Sequence, residues 1–330
     1  MKIVIDSAIP FIKGVFEPYC QVEYLDGKEF NNNSIADATA LIIRTRTHCS
    51  KELLEGTSVR HIATATIGFD HIDIDYCRSH SIGVSTAAGC NARGVLQWIA
   101  ALLAYLSYKE GWRPQQKRLG VVGVGNVGSL VSHYASTWGF EVICCDPPRQ
   151  RREGGNFVTF AELAHSADII TLHTPLDATT HHIIDSESLK LISKKTLLVN
   201  TSRGEVVDTK ALLSSGNPFA LDVWEGEPNI CNEALQKAIV ATPHIAGYSL
   251  QGKANATTMA VRSIAHALQL PLTEWRSNAP TTQNREISWK EVLATITNYF
   301  DIEKQSNELK GDKTQFEALR NNYKYRNEYF

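Results

Sequence analysis

The sequence predicts an α/β protein built on a doubly wound parallel sheet of the Rossmann type, accompanied by a smaller, flavodoxin-like α/β domain. From residue 118 onwards, short apolar runs alternate with helical patterns, which is typical of repeated strand–helix units. The first run leads into GVGNVG at 123–128, three glycines spaced as GxGxxG between a strand and a helix. Residues 1–90 show a second, shorter alternation of the same kind. We therefore expect two α/β domains.

The composition is that of an ordinary globular protein. The 330 residues are 43% hydrophobic and 21% charged, with a net charge of −2, and no basic tract indicates nucleic-acid binding. The longest uncharged segment, 94–108, has 15 residues, fewer than the ~20 that span a bilayer. The N-terminal apolar run is too short for a signal peptide. Seven cysteines without CxxC spacing predict free thiols in a reducing cytoplasm.

The first 90 residues predict the smaller domain. Ligands of parallel α/β sheets lie beyond the carboxyl ends of the strands. That rule directs attention to Arg44 and Thr45 after one strand and to TATIGFD at 64–70 after the next, although ordinary loop chemistry would also explain these residues. The predicted strands are Ile3–Ile5, Leu41–Ile43, His61–Thr64 and Gly83–Ser85.

The second region begins with a predicted buried helix at 90–108, a connector between the domains. A further helix is expected at 250–269, and the polar tail from 286 has apolar spacings that fit two amphipathic helices in need of a partner surface. Between these, strands are expected at 119–123, 141–146, 168–174, 196–200, 218–223 and 238–241, and helices near 126–138, 160–166, 185–192 and 208–214.

The glycine turn predicts a dinucleotide site. The first glycine permits a tight turn, the second lets the backbone approach a pyrophosphate, and the third lets the helix pack closely on the strand. Backbone N–H groups at the start of the helix then face the phosphates. The predicted phosphate contacts are Gly123, Gly125, Asn126, Val127 and Gly128.

Asp146 predicts which dinucleotide binds. It ends the strand EVICCD, 18 residues after Gly128, where a carboxylate accepts hydrogen bonds from ribose hydroxyls and repels a 2′-phosphate. Arg149, Arg151 and Arg152 follow and could instead bind that phosphate, but we expect them in a solvated loop. NAD is therefore favoured over NADP.

Three later strand ends carry chemically useful side chains. Arg203 lies in NTSRG, Glu227 in LDVWEGEP and His244 in TPHIAGY. An arginine fork can hold a substrate carboxylate. A histidine can accept a hydroxyl proton, and a hydrogen-bonded glutamate can fix the histidine's tautomer. Together they predict hydride transfer between an α-hydroxy acid and a nicotinamide. His173, at another strand end, is interpreted as structural.

The chain resembles the D-2-hydroxyacid dehydrogenase family over residues 1–285. The resemblance rests on GVGNVG, Asp146, HTP, NTSRGEVVD, LDVWEGEP and TPHIAGY. It implies three sets of site residues: catalytic Arg203, Glu227 and His244; NAD-binding Asp146, Thr174, Asp222 and Gly247; substrate-binding Thr45, Thr66 and Tyr248. Thr45 stands where the family often has serine.

Further stretches narrow the resemblance to a biosynthetic branch whose 2-hydroxy acid substrate carries a phosphate. These are TATIGFDHID, AAGCNA and TPHIAGYSLQGKA. The branch implies a homodimer, with a substrate domain at 1–93 and 246–285, an NAD domain at 94–245, and a dimerisation segment at 286–330 that is shorter than usual. The alternatives are a member acting on 3-phosphoglycerate, glyoxylate or hydroxypyruvate, or a non-enzymatic, NAD-sensing corepressor-like scaffold. No metal site is predicted, because HExxH and other metal-ligand spacings are absent.

Overall fold

The computed structural model describes residues 1–281 and 284–330, which form two units. The first consists of Met1–Asn91 and Leu250–Thr281, and the second of Ala92–Ser249 and Thr282–Phe330. Residues 282 and 283, at the end of the predicted segment 246–285, lie outside the described residues.

The first unit contains a parallel sheet with the strand order β2-β1-β3-β4-β5. Alternate residues of β1 enter different cores, Ile3 and Ile5 on one face and Val4 on the other. A sheet covered on both faces reads as continuous apolar runs, which explains the prediction of the three inner strands. The fourth predicted strand, observed at Gly83–Thr86, is a partly buried edge strand without such a run. The strands are β1 (Lys2–Asp6), β2 (Gln21–Leu25), β3 (Ala40–Ile43), β4 (His61–Thr64) and β5 (Gly83–Thr86).

The second unit contains a parallel sheet with the order β11-β10-β9-β8-β6-β7. The order reverses between β6 and β8, and such a switch point opens a crevice at the carboxyl ends of the strands. The predicted doubly wound sheet is confirmed. Its strands are β6 (Arg118–Val122), β7 (Glu141–Cys145), β8 (Ile169–Leu172), β9 (Leu197–Asn200), β10 (Phe219–Leu221) and β11 (Val240–Ala241).

Helices flank both sheets. In the part of the chain that is described, no helix is long and apolar enough to cross a membrane. The helices are α1 (Lys51–Leu54), α2 (Ile74–Ser79), α3 (Ala92–Glu110), α4 (Asn126–Trp138), α5 (Pro147–Glu153), α6 (Phe160–Ser166), α7 (Ser188–Leu191), α8 (Thr209–Ser215), α9 (Asn232–Lys237), α10 (Leu250–Ala267), α11 (Trp289–Tyr299), α12 (Ile302–Gly311) and α13 (Phe316–Asn321). Short 3₁₀ turns cover Pro114–Gln116, Gly204–Val206 and Lys313–Gln315.

The arginines after Asp146 do not lie in a loop, as we had expected, but in helix α5. The carboxylate of Asp146 caps this helix by accepting the N–H of Arg149, and Pro147 opens its first turn. Two consecutive prolines resemble a turn in the sequence, but proline is well tolerated at the start of a helix, where its missing N–H costs nothing.

The C-terminal tail also differs from expectation, since residues 284–330 form three helices, α11 to α13, and not two. Val292 and Ile296 of α11 enter the same core as α3 and α4. Leu309 of α12 and Phe316 of α13 enter the core on the other side of the second sheet. The apolar faces of these helices are therefore covered by their own unit.

Candidate active site

The glycine turn after β6 has the geometry that its sequence predicts. Gly123 has φ +84°, and a β-carbon there would lie 2.9 Å from the carbonyl of His173. A β-carbon on Gly128 would lie 2.0 Å from the oxygen of Gly123, so α4 can pack this closely on the turn only if residue 128 is glycine. A β-carbon on Gly125 would meet nothing within 4 Å. The turn is thus tight on its protein side and open at Gly125, which fits an approaching pyrophosphate. Asn126 and Val127 form the first turn of α4, as a phosphate-facing helix start requires.

Asp146 is fixed at the same turn. Its Oδ2 accepts the N–H of Val124 at 2.8 Å, and its Oδ1 accepts the N–H of Arg149 at 2.9 Å. Arg149 in turn binds Glu153 at 2.7 Å, and Arg152 binds the same carboxylate at 2.9 Å. Two of the three arginines near Asp146 are therefore paired with Glu153. With these arginines engaged, the Asp146 carboxylate favours ribose hydroxyls over a 2′-phosphate.

Thr174, directly beyond β8, carries a buried hydroxyl oxygen with no hydrogen-bond partner among the described residues. Its backbone N–H lies beside the Gly123 turn. An unsatisfied buried hydroxyl costs about 1–3 kcal/mol, so this position suits a polar group of a bound cofactor.

His173 has a structural environment, as interpreted from the sequence. Its Nε2 lies 3.0 Å from the hydroxyl of Thr171, and its Nδ1 lies 3.3 Å from that of Thr201. Burial lowers the pKa of His173 to about 3, so the ring is neutral at neutral pH.

The loops that carry Arg203, Glu227 and His244 leave three neighbouring strands at the same edge. Asn200 at the end of β9 pairs in register with Leu221 of β10, which pairs with Ala241 of β11. The sheet therefore brings the three loops out side by side, as the strand-end argument predicts.

His244 and Glu227 are directly hydrogen-bonded. His244 Nδ1 lies 2.8 Å from Glu227 Oε2, and Glu227 Oε1 accepts the N–H of Trp224 at 3.0 Å. Burial would raise the pKa of Glu227, but the charge and hydrogen bond of His244 and the charge of Arg320 hold it below its usual value. Because a carboxylate only accepts, the shared proton belongs to Nδ1, and in the neutral ring the accepting nitrogen is then Nε2.

Asp222 shapes the loop that carries His244. Its buried carboxylate accepts the hydroxyl of Thr242 at 2.5 Å and the N–H groups of Ile245 and Ala246 at 2.8 and 2.9 Å. Burial raises the pKa of Asp222. His244, between these residues, has φ +56° in the left-handed region. Gly247 follows in the same loop.

Arg203 is held at the start of a 3₁₀ turn. The side-chain amide of Asn200 donates to the carbonyl of Arg203 at 2.8 Å, and the Arg203 guanidinium donates to the carbonyl of Ser202 at 2.8 Å. The next residue, Gly204, touches the backbone of Trp224, which ties this loop to the one that carries Glu227.

The predicted substrate residues are divided between the two units. Tyr248 lies in the second unit with His244, and its hydroxyl accepts from Arg320 Nε at 3.1 Å. Thr45 and Thr66 lie in the first unit, beyond β3 and β4. Thr45 is exposed, and the Thr66 hydroxyl lies 2.6 Å from that of Thr64. Arg44 forms a two-point pair with buried Asp6 at 3.1 and 3.3 Å.

Two C-terminal arginines also contact the proposed site, although no pattern in the sequence predicts them. Arg320 of α13 reaches both Tyr248 and Glu227, and Arg326 binds backbone carbonyls of the His244 loop. A GxGxxG pattern or an arginine at a strand end is a local signal. These two arginines carry no such signal, because they contact residues more than 70 positions away in the chain.

A second histidine–glutamate pair lies outside this set. His182 Nε2 is 2.7 Å from Glu225 Oε1, and Glu225 Oε2 accepts the N–H of Thr209. Glu225 therefore binds a different loop from Glu227. Across residues 1–281 and 284–330, no group of three or more histidine, cysteine or acidic side chains could hold a metal ion.

Comparison with known proteins places this arrangement in a family. Residues 97–246 match the model of the D-isomer specific 2-hydroxyacid dehydrogenase, NAD binding domain. An erythronate-4-phosphate dehydrogenase from Bacteroides thetaiotaomicron is 42% identical over 339 residues, covering 99% of this chain and 97% of that protein. One from Photorhabdus laumondii is 34% identical, covering 100% of this chain and 93% of that protein.

Solved structures show the same fold. The NAD⁺-bound 3-phosphoglycerate dehydrogenase of Entamoeba histolytica superimposes with a TM-score of 0.70 at 26% identity, covering 84% of this chain and 98% of that one. The D-lactate dehydrogenase of Aquifex aeolicus, complexed with NAD and lactic acid, gives a TM-score of 0.69 at 24% identity. The superposition covers 84% of this chain and 98% of that one.

Proposed function

The chain belongs to the erythronate-4-phosphate dehydrogenases, a branch of the NAD-binding D-isomer specific 2-hydroxyacid dehydrogenases, and from that premise we propose that it oxidises 4-phospho-D-erythronate with NAD. The product is (R)-3-hydroxy-2-oxo-4-phosphobutanoate, an intermediate of pyridoxal 5′-phosphate biosynthesis. The observation that carries the proposal is the hydrogen bond of 2.8 Å between His244 and Glu227 on a dinucleotide-binding sheet.

In the proposed mechanism, His244 Nε2 accepts the proton of the substrate's C2 hydroxyl. Glu227 holds the ring through Nδ1 and stabilises the positive charge that the imidazole gains. Arg203 pairs with the substrate carboxylate and polarises the C2–O bond. When bound, NAD supplies the acceptor for the hydride that leaves C2.

The cofactor would be held by the turn and the strand ends beside it. The backbone from Gly123 to Gly128 faces the pyrophosphate, Asp146 receives the ribose hydroxyls, and the orphaned Thr174 hydroxyl gains a partner. Asp222 and Gly247 are assigned to NAD by the family resemblance alone. The buried carboxylate of Asp222 already bonds the His244 loop, so its contribution would come through that loop.

Substrate binding is assigned to the hydroxyls of Thr45, Thr66 and Tyr248, also on the family resemblance. We further propose that the enzyme is a cytoplasmic homodimer that associates through residues 286–330. Since α11 covers its buried face with its own unit, the surface available to a second copy includes exposed Leu293 and Tyr299.

The test is turnover by the purified protein. With 4-phospho-D-erythronate, NAD and a second 2-oxo acid to reoxidise NADH, we expect formation of the phosphorylated 2-oxo acid. Activity on 3-phosphoglycerate or glyoxylate without activity on 4-phosphoerythronate would reassign the substrate within the family. NAD-dependent binding to a regulatory protein without any turnover would support the scaffold alternative.

A further inference from the structure

Arg320 of helix α13 contacts two residues of the proposed active site at once. Its Nε donates to the hydroxyl of Tyr248 at 3.1 Å, and its terminal nitrogen lies 3.6 Å from Glu227 Oε2. That carboxylate oxygen is the one that lies 2.8 Å from His244 Nδ1. The guanidinium is therefore shared between a proposed substrate residue and the proposed proton-transfer pair.

We propose that Arg320 is a positioning residue that couples Tyr248 to the Glu227–His244 pair. This inference rests on the proposed function, because it takes these three residues as the working site. Arg320 acts through them: it aims the Tyr248 hydroxyl and sets the charge balance around the histidine.

The orientation of the Tyr248 hydroxyl follows from the donors and acceptors that the two side chains carry. A guanidinium only donates, and a phenol has one proton and an oxygen that accepts. Because Arg320 takes the accepting side of the Tyr248 oxygen, the phenol's own proton must be directed away from Arg320. The contact with Arg320 therefore fixes the orientation of the Tyr248 hydroxyl.

The charge balance follows from the groups that influence Glu227. Burial would raise the pKa of this carboxyl, but the charges of His244 and Arg320 lower it. Burial would lower the pKa of Arg320, but Tyr248 and Glu227 raise it, so it stays charged. A permanent positive charge beside Glu227 helps to keep this group as a carboxylate, the form that accepts a hydrogen bond from His244 Nδ1.

Residues after α13 anchor the same loop and keep Arg320 in place. Arg326 donates to the carbonyls of Ile245 and Tyr248, each at 3.1 Å, and also to those of Gly94 and Ala246. Its guanidinium lies 4.4 Å above the ring of Phe300. Ser249 donates to the buried carboxylate of Glu328 at 2.6 Å. The C-terminal segment is thus built against the loop that carries His244 and Tyr248.

Two variants of Arg320 separate the effect of its charge from the effect of its hydrogen bonds. In Arg320→Met, we expect KM for the hydroxy acid to rise about tenfold, the scale of one lost hydrogen bond to a charged group. Arg320→Lys keeps the charge but cannot reproduce the hydrogen-bond geometry of the guanidinium, so it should restore only part of the lost affinity for the hydroxy acid.

The matched control is Lys109→Met. Lys109 forms an exposed ion pair with Glu303 of α12 at 3.0 Å and contacts none of the site residues. The kcat and KM of this control variant should match those of the wild type. In the double variant Arg320→Met/Tyr248→Phe, KM should rise no further than in the worse single variant, because both changes remove one coupled interaction.

A substrate-independent measurement distinguishes this proposal from the substrate assignment. With [¹³Cζ]tyrosine labelling, the Tyr248 resonance, identified by its loss in Tyr248→Phe, should shift in Arg320→Met and stay in place in Lys109→Met. If the wild type does not oxidise 4-phosphoerythronate but this shift occurs, the substrate assignment fails and the positioning role stands. The kinetic comparison is then made with the 2-hydroxy acid that the protein does oxidise.

Two results would overturn the positioning role. One is an Arg320→Met enzyme with an unchanged KM and an unchanged Tyr248 resonance. The other is a variant whose only change is a lower unfolding temperature with kcat and KM intact, which would make Arg320 a purely structural residue.

Discussion

Gly204 presses directly against the backbone of Trp224: a β-carbon on Gly204 would lie 2.0 Å from the Trp224 carbonyl carbon and 2.1 Å from its oxygen. No side chain fits in that space. The contact joins the loop of Arg203 to the loop of Glu227, so the distance between the two proposed catalytic residues depends on a glycine.

Replacing Gly204 with alanine should therefore damage both stability and activity. We expect a loss of about 1–3 kcal/mol in the free energy of unfolding, as for other overpacked positions, and reduced kcat because the two loops move apart. Urea unfolding and steady-state kinetics measure both effects. Gly311→Ala is the control, since a β-carbon there meets nothing within 4 Å. A Gly204→Ala enzyme as stable as Gly311→Ala would contradict the close contact.

His244→Ala should remove the proton acceptor. We expect kcat to fall by about 10²–10⁴-fold, the usual contribution of a positioned acid or base, while NADH binding, followed by fluorescence, changes little. The glycine turn and Asp146 are untouched in this variant. Substantial remaining turnover would take His244 out of the proton-transfer role.

Arg203→Lys tests the carboxylate fork. Lysine keeps the charge but cannot make two parallel hydrogen bonds, so kcat/KM should fall by about 10–100-fold, equivalent to one charge-assisted hydrogen bond. The measurement is kinetics with the hydroxy acid at saturating NAD. Near-normal kcat/KM would show that a point charge is sufficient.

Asp146→Ser tests cofactor choice without removing the helix cap. Serine can also cap α5 but cannot at the same time accept the N–H of Val124, so the free energy of unfolding should fall by about 0.5–1.5 kcal/mol. The preference for NAD over NADP should fall about tenfold or more, because serine carries no negative charge to repel a 2′-phosphate. Competition kinetics with the two cofactors give the ratio. An unchanged ratio would locate the selectivity elsewhere.

Glu227→Gln should change how stability depends on pH. The pKa of Glu227 is depressed in the folded state, so its contribution to stability is present above the ordinary value of 4.5 and is lost as the pH falls through the lower folded-state pKa. The free energies of unfolding of wild type and variant should therefore differ most above pH 4.5 and converge in acid. Denaturant unfolding at a series of pH values measures this. A pH-independent difference would contradict a depressed pKa.

Much of the fold was readable from the sequence because the central strands are buried on both faces. Val4 and Ile42 belong to uninterrupted apolar runs, whereas β2 was missed because QVEYL is a half-exposed edge strand with a charged residue in its centre. Helix α5 was mistaken for a loop because Pro147 and Pro148 look like a turn. The edge position of β2 explains the first omission, whereas α5 forms through local features, the Asp146 cap and prolines in the first turn.

The candidate site divides in the same way. Arg203, Glu227 and His244 were found because each follows a strand, and parallel strands bring their carboxyl ends together. Arg320 and Arg326 were missed because helix α13 and the residues after it bring them to the site from a distant part of the chain. Only the packing of α11 to α13 on their own unit makes those contacts visible.

The hydrogen bond from Arg326 to the carbonyl of Ile245 has a consequence for folding during translation. The two residues are 81 positions apart, so during translation the loop that carries His244 leaves the ribosome well before the side chain that holds it. The glycine turn can form earlier, because its partners Asp146 and Thr174 follow it in the chain at shorter distances than the one between Ile245 and Arg326. A nascent chain would therefore complete the glycine turn before it gains the Arg326 contacts that hold the loop of His244.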